Sequence, residues 1–213
     1  MKICIILNGE IENYETTKSI INNENYDYII CADGGANHSY KMDIIPNYIL
    51  GDLDSVHSGV VDYYKTNDVD FKQFPAKKNE TDAELCIYLA TTLKANQIDF
   101  IGGLGGRVDH MIANINLLYY VKEQNITPRI LTDKEEIYIA IDEEISLRGQ
   151  VGDTISVIPV KGDAYGVTLK NLEYPLEDYH MKYSVPIGIS NIMLERECKI
   201  KVDSGTLLII RNI

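Results

Sequence analysis

Residues 98–131 decide the fold. They open with Ile98-Asp99-Phe100-Ile101 and pass through Gly102-Gly103-Leu104-Gly105-Gly106-Arg107-Val108-Asp109-His110. A helical pattern then runs to about residue 124, and Arg129-Ile130-Leu131 closes the stretch. An apolar run, a glycine turn, a helix and a second apolar run make a βαβ unit, whose two strands lie parallel. Four glycines in five residues carry a high conformational-entropy cost. Such a turn between strand and helix is expected where backbone amides cradle phosphate.

Working outward, the same alternation fills the first two-thirds of the chain. Short apolar, β-branched-rich runs at residues 2–7, 28–32, 47–50 and 70–74 predict further strands, and segments near 14–22, 36–42, 56–66 and 81–96 predict helices. Thr81 followed by Glu84 forms a capping box at the start of the 81–96 helix, and Cys86, Leu89, Ala90 and Leu93 give it one apolar stripe. The expected architecture is a doubly wound, mostly parallel sheet with helices on both faces. After residue 133 the texture changes to short period-two segments, such as 155–160, 166–170 and 198–202, separated by turn signals at Gly149, Gly152, Lys161-Gly162-Asp163 and Asp203-Ser204-Gly205. That pattern predicts an antiparallel β-sandwich. The expected division is an α/β nucleotide-binding domain at 1–133 and a β-sandwich domain at 134–213, with residues 135–141 able to join either sheet.

Composition narrows the function. A chain of 213 residues buries a core without disulfide or metal support. The formal net charge of −12 argues against nucleic acid and anionic membranes as partners. No apolar run approaches the roughly 20 residues of a membrane span. The apolar core of the N-terminus is too short for a signal peptide, so a cytoplasmic location is expected. Cys4, Cys31, Cys86 and Cys198 form no Cys-x-x-Cys pair and read as reduced structural thiols.

Three more junctions carry candidate chemistry. In Tyr48-Ile49-Leu50-Gly51-Asp52-Leu53-Asp54-Ser55, two carboxylates stand two residues apart just past a strand. Positions i and i+2 can turn toward one point there, which suits a hard cation such as Mg²⁺. Capping of the following helix by Asp54 or Ser55 is the alternative, and it leaves Asp52 unexplained. Ala32-Asp33-Gly34-Gly35-Ala36-Asn37 lets backbone approach a ligand, or forms a tight strand-to-helix turn with Asp33 as a cap. Lys77 and Lys78 precede a helix N-terminus whose first turn holds Asp82, a place for an anion or simply a charged loop. Arg107 suits a bidentate phosphate contact, and Asp109 can join the metal ligands. His110 reads more readily as an ordinary helix histidine than as a catalyst.

The ordered set Ala-Asp-Gly-Gly-Ala-Asn, Gly-Asp-Leu-Asp-Ser, Lys-x-Glu-Thr-Asp and Gly-Gly-Leu-Gly-Gly-Arg-x-Asp-His resembles the thiamine pyrophosphokinase family, as do Asn171-Leu-Glu-Tyr-Pro-Leu and Gly188-Ile-Ser-Asn191. The resemblance implies Mg²⁺-dependent transfer of a pyrophosphoryl group from ATP to the thiamine hydroxyl, giving thiamine diphosphate and AMP. It implies a homodimer with active sites at the subunit interface. Carried over by motif, Asp52, Asp54, Asp82, Asp109 and Arg107 are the catalytic residues, and Asp52, Asp54 and Asp82 hold the metal. Asp33, Gly34, Gly35, Lys78, Gly102, Gly103, Gly105, Gly106 and Arg107 fall at the ATP phosphates. Asp82, Ser190 and Asn191 fall at thiamine. Some family members have a tryptophan near the thiamine pyrimidine, whereas this chain has none and offers Tyr174, Tyr179 or Tyr183. Two rival readings are a haloacid-dehalogenase-type phosphatase with Asp52 as nucleophile, and a nucleotide-binding module without turnover.

Overall fold

Apolar strands that end in polar turns and feed capped helices set the first layer of structure. The computed structural model describes residues 1–74 and 80–213, which separate into two units, Met1–Asp133 and Lys134–Ile213. The first unit runs β1 (Lys2–Ile6), α1 (Tyr14–Asn23), β2 (Tyr28–Ala32), α2 (Gly35–Lys41), β3 (Tyr48–Gly51), α3 (Ser58–Thr66), β4 (Asp70–Gln73), α4 (Asp82–Thr92), β5 (Gln97–Ile101), α5 (Val108–Lys122) and β6 (Thr127–Leu131). Its strands are all parallel, in the order β4-β3-β2-β1-β5-β6.

That order makes the unit doubly wound. The chain steps outward from β1 to β4, then returns across β1 to β5 and continues to β6. Crossovers between parallel strands are right-handed as a rule, so reversing direction moves the helices to the opposite face. On the face of α1–α3, Cys4, Ile6, Cys31 and Ile49 pack with Ile21, Ala36, Val60 and Tyr64. Tyr64 is fully buried, and its hydroxyl donates to the Ile44 carbonyl at 2.9 Å. The intervening residues Ile3 and Ile5 are equally buried, so both faces are covered, as a parallel sheet requires.

Helix α4 begins with the expected capping box: the Glu84 N–H donates to Thr81 Oγ1 at 3.2 Å, and the Thr81 N–H donates back to the Glu84 carboxylate at 2.7 Å. It ends four residues before the predicted 96. Lys94 takes a left-handed conformation (φ 63°) and the Ala95 N–H returns to the Ala90 carbonyl, which closes the helix without the glycine that usually marks such a stop.

The second unit contains β7 (Glu135–Ile141), β8 (Glu144–Arg148), β9 (Thr154–Lys170), β10 (Leu176–Met181), β11 (Asn191–Ile192), β12 (Glu197–Lys201) and β13 (Ser204–Asn212), all paired antiparallel. Residues 135–141 join this unit, paired with β13. The segments 155–160 and 166–170, read in the sequence as separate, belong to one bent strand. The first half of β9 pairs with β13, and the second half pairs with β12 and β10. Lys161 (φ 65°) and Gly162 (φ 122°) make the bend between them, where the sequence predicts a turn. Ile155, Val157, Val167, Leu169, Cys198, Ile200, Leu207 and Ile209 fill the core that results.

All four cysteines are buried and free. Burial pushes the Cys31 thiol up to about 12 and the Cys198 thiol up to about 11, which keeps both protonated at neutral pH. Among the described residues no helix is long and apolar enough to cross a membrane.

Candidate active site

In a doubly wound sheet, ligands bind outside the carboxyl ends of the strands where the winding direction reverses. Here that point lies between β1 and β5. Past β1, the chain stays bonded to the glycine turn that follows β5: the Gly9 N–H donates to Gly102 O at 2.8 Å and the Glu10 N–H to Leu104 O at 2.9 Å. The approach is close enough that a Cβ on residue 9 would lie 2.4 Å from the Gly102 oxygen. From the other side, His38 Nε2 meets the Gly9 carbonyl at 2.8 Å and Nδ1 meets the Tyr14 hydroxyl at 2.7 Å. A carbonyl only accepts, so Nε2 carries the proton; burial holds the His38 pKa below its usual value.

A cleft of about 1030 Å³ opens at this point, lined by Asn8, Asp33, Asp52, Asp54, Asp82 and Arg107 among others. Its acidic wall comes from the adjacent ends of β2 and β3. The Asp33 N–H donates to the Leu50 carbonyl at 2.7 Å, which ties the two ends together. Leu53 adopts a left-handed conformation (φ 67°) and packs against the core, while Asp52 Oδ1 accepts the Asp54 N–H at 3.2 Å. Ser55 Oγ donates to Asp54 Oδ1 at 2.9 Å. The outcome is that Asp33, Asp52 and Asp54 each offer a carboxylate oxygen within 4.8 Å of the others.

Asp33 is the telling member. It is 8% exposed, and its Oδ1 is buried with no hydrogen-bond partner among the described residues. Burial pushes its pKa up, the nearby Ser55 hydroxyl and Gly34 N–H pull it partly back, and the charges of Asp82 and Asp52 push it up again. A buried carboxylate oxygen without a donor, facing two more carboxylates, fits a hard divalent cation with oxygen ligands. The sequence groups Asp33 with the phosphate-binding glycines. The structure places its carboxylate with Asp52 and Asp54.

The remaining predicted residues are placed as follows. Asp82 lines the same cleft at the first turn of α4, outside the three-carboxylate group. Gly105, Gly106, Arg107 and His110 also line it. Arg107 is held by Asp109 through two bonds, Nε to Oδ1 at 3.1 Å and the guanidinium to Oδ2 at 2.6 Å. That pairing keeps the Asp109 carboxyl below its usual range. Gly102 (φ 66°) and Gly103 shape the turn from behind, the Gly103 carbonyl accepting from the Asn114 side chain at 2.8 Å. Gly34 and Gly35 serve close packing: a Cβ at 35 would lie 2.1 Å from the Ile6 oxygen. Lys77 and Lys78 lie outside the described residues. In the second unit, Ser190 is exposed at φ 58°, whereas Asn191 is buried and its side chain bonds the Tyr174 N–H and carbonyl at 2.9 and 2.8 Å.

Sequence reasoning missed Asn8, Gly9 and Glu10 as cleft-forming residues. Their signal was position, since they follow the first strand. They lack a dinucleotide-binding fingerprint, and strand order alone shows that β1 borders the switch point.

Residues 20–130 match the model of the thiamin pyrophosphokinase catalytic domain, and residues 136–207 match that of the thiamin pyrophosphokinase vitamin B1 binding domain. The chain belongs to the thiamin pyrophosphokinase family. Thiamine pyrophosphokinase of Bacillus subtilis is 28% identical over 184 residues, covering 86% of each chain. Thiamine pyrophosphokinase 1 of Oryza sativa is 28% identical over 203 residues, covering 84% of this chain and 76% of the relative. The crystal structure of the B. subtilis thiamine pyrophosphokinase superposes with a TM-score of 0.88 at 25% identity, covering 100% of this chain and 99% of that one. The family reaction is ATP-dependent pyrophosphoryl transfer to thiamine, and neither the phosphatase nor the non-catalytic reading is favoured beside it.

Proposed function

We propose that the cleft at the β1–β5 switch point is the ATP site of thiamine pyrophosphorylation, and that Asp33, Asp52 and Asp54 hold Mg²⁺ there. The observation that carries this reading is the Asp33 carboxylate, one oxygen of which is buried without a partner among the described residues, grouped within 4.8 Å of Asp52 and Asp54 oxygens in a cleft that the glycine turn also lines. When bound, Mg²⁺ neutralises charge on the triphosphate and on the departing AMP.

The chain's own groups do the rest. Transfer of this kind depends mainly on positioning and on stabilising charge. The turn amides near Gly105 and Gly106 and the Arg107 guanidinium bind phosphate oxygens, and Lys78 adds a cation. Asp109 holds the Arg107 guanidinium in place for this contact. Asp82, on the cleft wall but outside the carboxylate trio, orients the thiamine hydroxyl for attack on the β-phosphorus. The family resemblance assigns Ser190 and Asn191 to the segment that lines thiamine, and Asn191 shapes that segment through its bonds to Tyr174. The resemblance further supports a cytoplasmic homodimer whose active sites lie at the subunit interface.

The test is direct. ATP and thiamine should yield AMP and thiamine diphosphate in equal amounts only when Mg²⁺ is present. AMP formation independent of thiamine, or full turnover in excess chelator, would contradict the reading.

A further inference from the structure

Asn37 lies in α2, four residues beyond Asp33, and nothing so far gives it a role. Its side chain spans the segment that leaves the Asp52–Asp54 turn. Nδ2 donates to the Ser55 carbonyl at 2.8 Å, and Oδ1 accepts the His57 N–H at 3.0 Å. Both ends of the amide are thus used on one loop, either side of Val56, which is buried in the core. His57 is the N-cap residue of α3 and makes no side-chain cap bond of its own, so the loop's register depends on this outside contact. A single short segment therefore supplies the buried carboxylate of Asp33 and fixes the loop carrying Asp52 and Asp54.

We propose that Asn37 is the positioning residue that sets the spacing of the three carboxylates. The inference rests on the metal-holding reading given above. The amide is matched to the task because it offers a donor and an acceptor on one planar group. Aspartate would lose the donor, and glutamine would be one methylene too long for both contacts. The Asn37 side chain makes its hydrogen bonds to backbone and none to a carboxylate of the trio. Its effect on the metal runs through the Ser55–His57 backbone.

The test is Mn²⁺ binding to the full-length chain, measured by electron paramagnetic resonance without nucleotide, for wild type, Asn37→Ala and His57→Pro. The second variant removes the N–H that donates to Asn37 Oδ1, together with the imidazole, and leaves the Asn37 side chain in place, at a backbone φ of −63° that proline adopts. Disturbing a partner that orients metal ligands weakens binding by about 10–100-fold, so Asn37→Ala should bind Mn²⁺ at least tenfold more weakly, with His57→Pro changed in the same direction but less. In turnover, Asn37→Ala should need more Mg²⁺ for half-maximal rate while its rate at saturating Mg²⁺ stays within a few-fold of wild type. A general structural defect would lower the saturated rate instead. Equal Mn²⁺ affinity in wild type and both variants would overturn the role of Asn37 and leave the metal site standing. Absence of saturable Mn²⁺ binding in wild type would overturn the metal site itself.

Discussion

Gly51 and Asp33 are so close that a Cβ on residue 51 would lie 2.8 Å from the Asp33 Cβ, at a backbone φ of 146° that side chains rarely adopt. This contact brings the ends of β2 and β3 together and lets the Asp33 carboxylate meet those of Asp52 and Asp54. Gly51→Ala should therefore damage both stability and catalysis. Backbone strain of this kind costs about 1–3 kcal/mol. Shifting a reacting group by about 1 Å costs on the order of 10²-fold in rate. Denaturant melts and turnover at saturating Mg²⁺ would measure the two effects, and wild-type behaviour in both would show that the close approach is not needed.

The raised pKa of Asp33 gives a prediction with a definite sign. Its carboxyl titrates higher in the folded chain than in the unfolded chain, chiefly through burial. Below the unfolded value, Asp33 is protonated in both states and imposes no cost. As pH rises through the folded value, the folded chain gives up a proton it holds more tightly than the unfolded one, and stability falls. In chelator at pH 7, Asp33→Asn should thus melt at a higher temperature than wild type, and the gain should vanish near pH 3. Saturating Mg²⁺ should reverse the order, because only wild type gains binding energy from the cation. A variant that melts lower than wild type in chelator at neutral pH would show that Asp33 is satisfied without a cation.

Asp99 separates stability from chemistry. It is fully buried and receives Arg129 through two bonds, 2.8 and 2.5 Å, together with the Tyr26 hydroxyl at 2.8 Å. None of these residues lines the cleft. Asp99→Ala leaves the largely buried Arg129 guanidinium short of its main partner and should cost about 3–5 kcal/mol in unfolding free energy. The turnover of the surviving folded fraction should stay near wild type. A large fall in turnover at temperatures where the variant remains folded would place Asp99 in the catalytic path.

Much of this was legible in the sequence because the signals are local. Short apolar, β-branched-rich runs and period-3.6 patterns gave each strand and helix of the first unit to within a few residues, and Thr81 with Glu84 marked the start of α4. The misses have a common physical origin in long-range pairing. Closure of α4 at Lys94 uses a left-handed residue other than glycine, which no propensity signals, and the turn read at Lys161-Gly162-Asp163 is a bend within one strand because both halves of β9 are set by their pairing partners. Strand order places β2 beside β3 and β1 beside β5, and that order is what moves Asp33 into the carboxylate group and Asn8 into the cleft. Asn37 was visible only as part of a glycine motif, since its two partners lie about twenty residues away in the chain.

The most direct measurement is the rate of AMP formation from ATP and thiamine by Asp54→Asn across a Mg²⁺ titration. Replacing a metal-holding carboxylate with a neutral amide should lower turnover on the order of 10²-fold or more and raise the Mg²⁺ requirement, while thiamine binding changes little. Near-wild-type turnover with an unchanged Mg²⁺ requirement would contradict the assignment of Asp54, and with it the carboxylate trio, as the metal-holding centre.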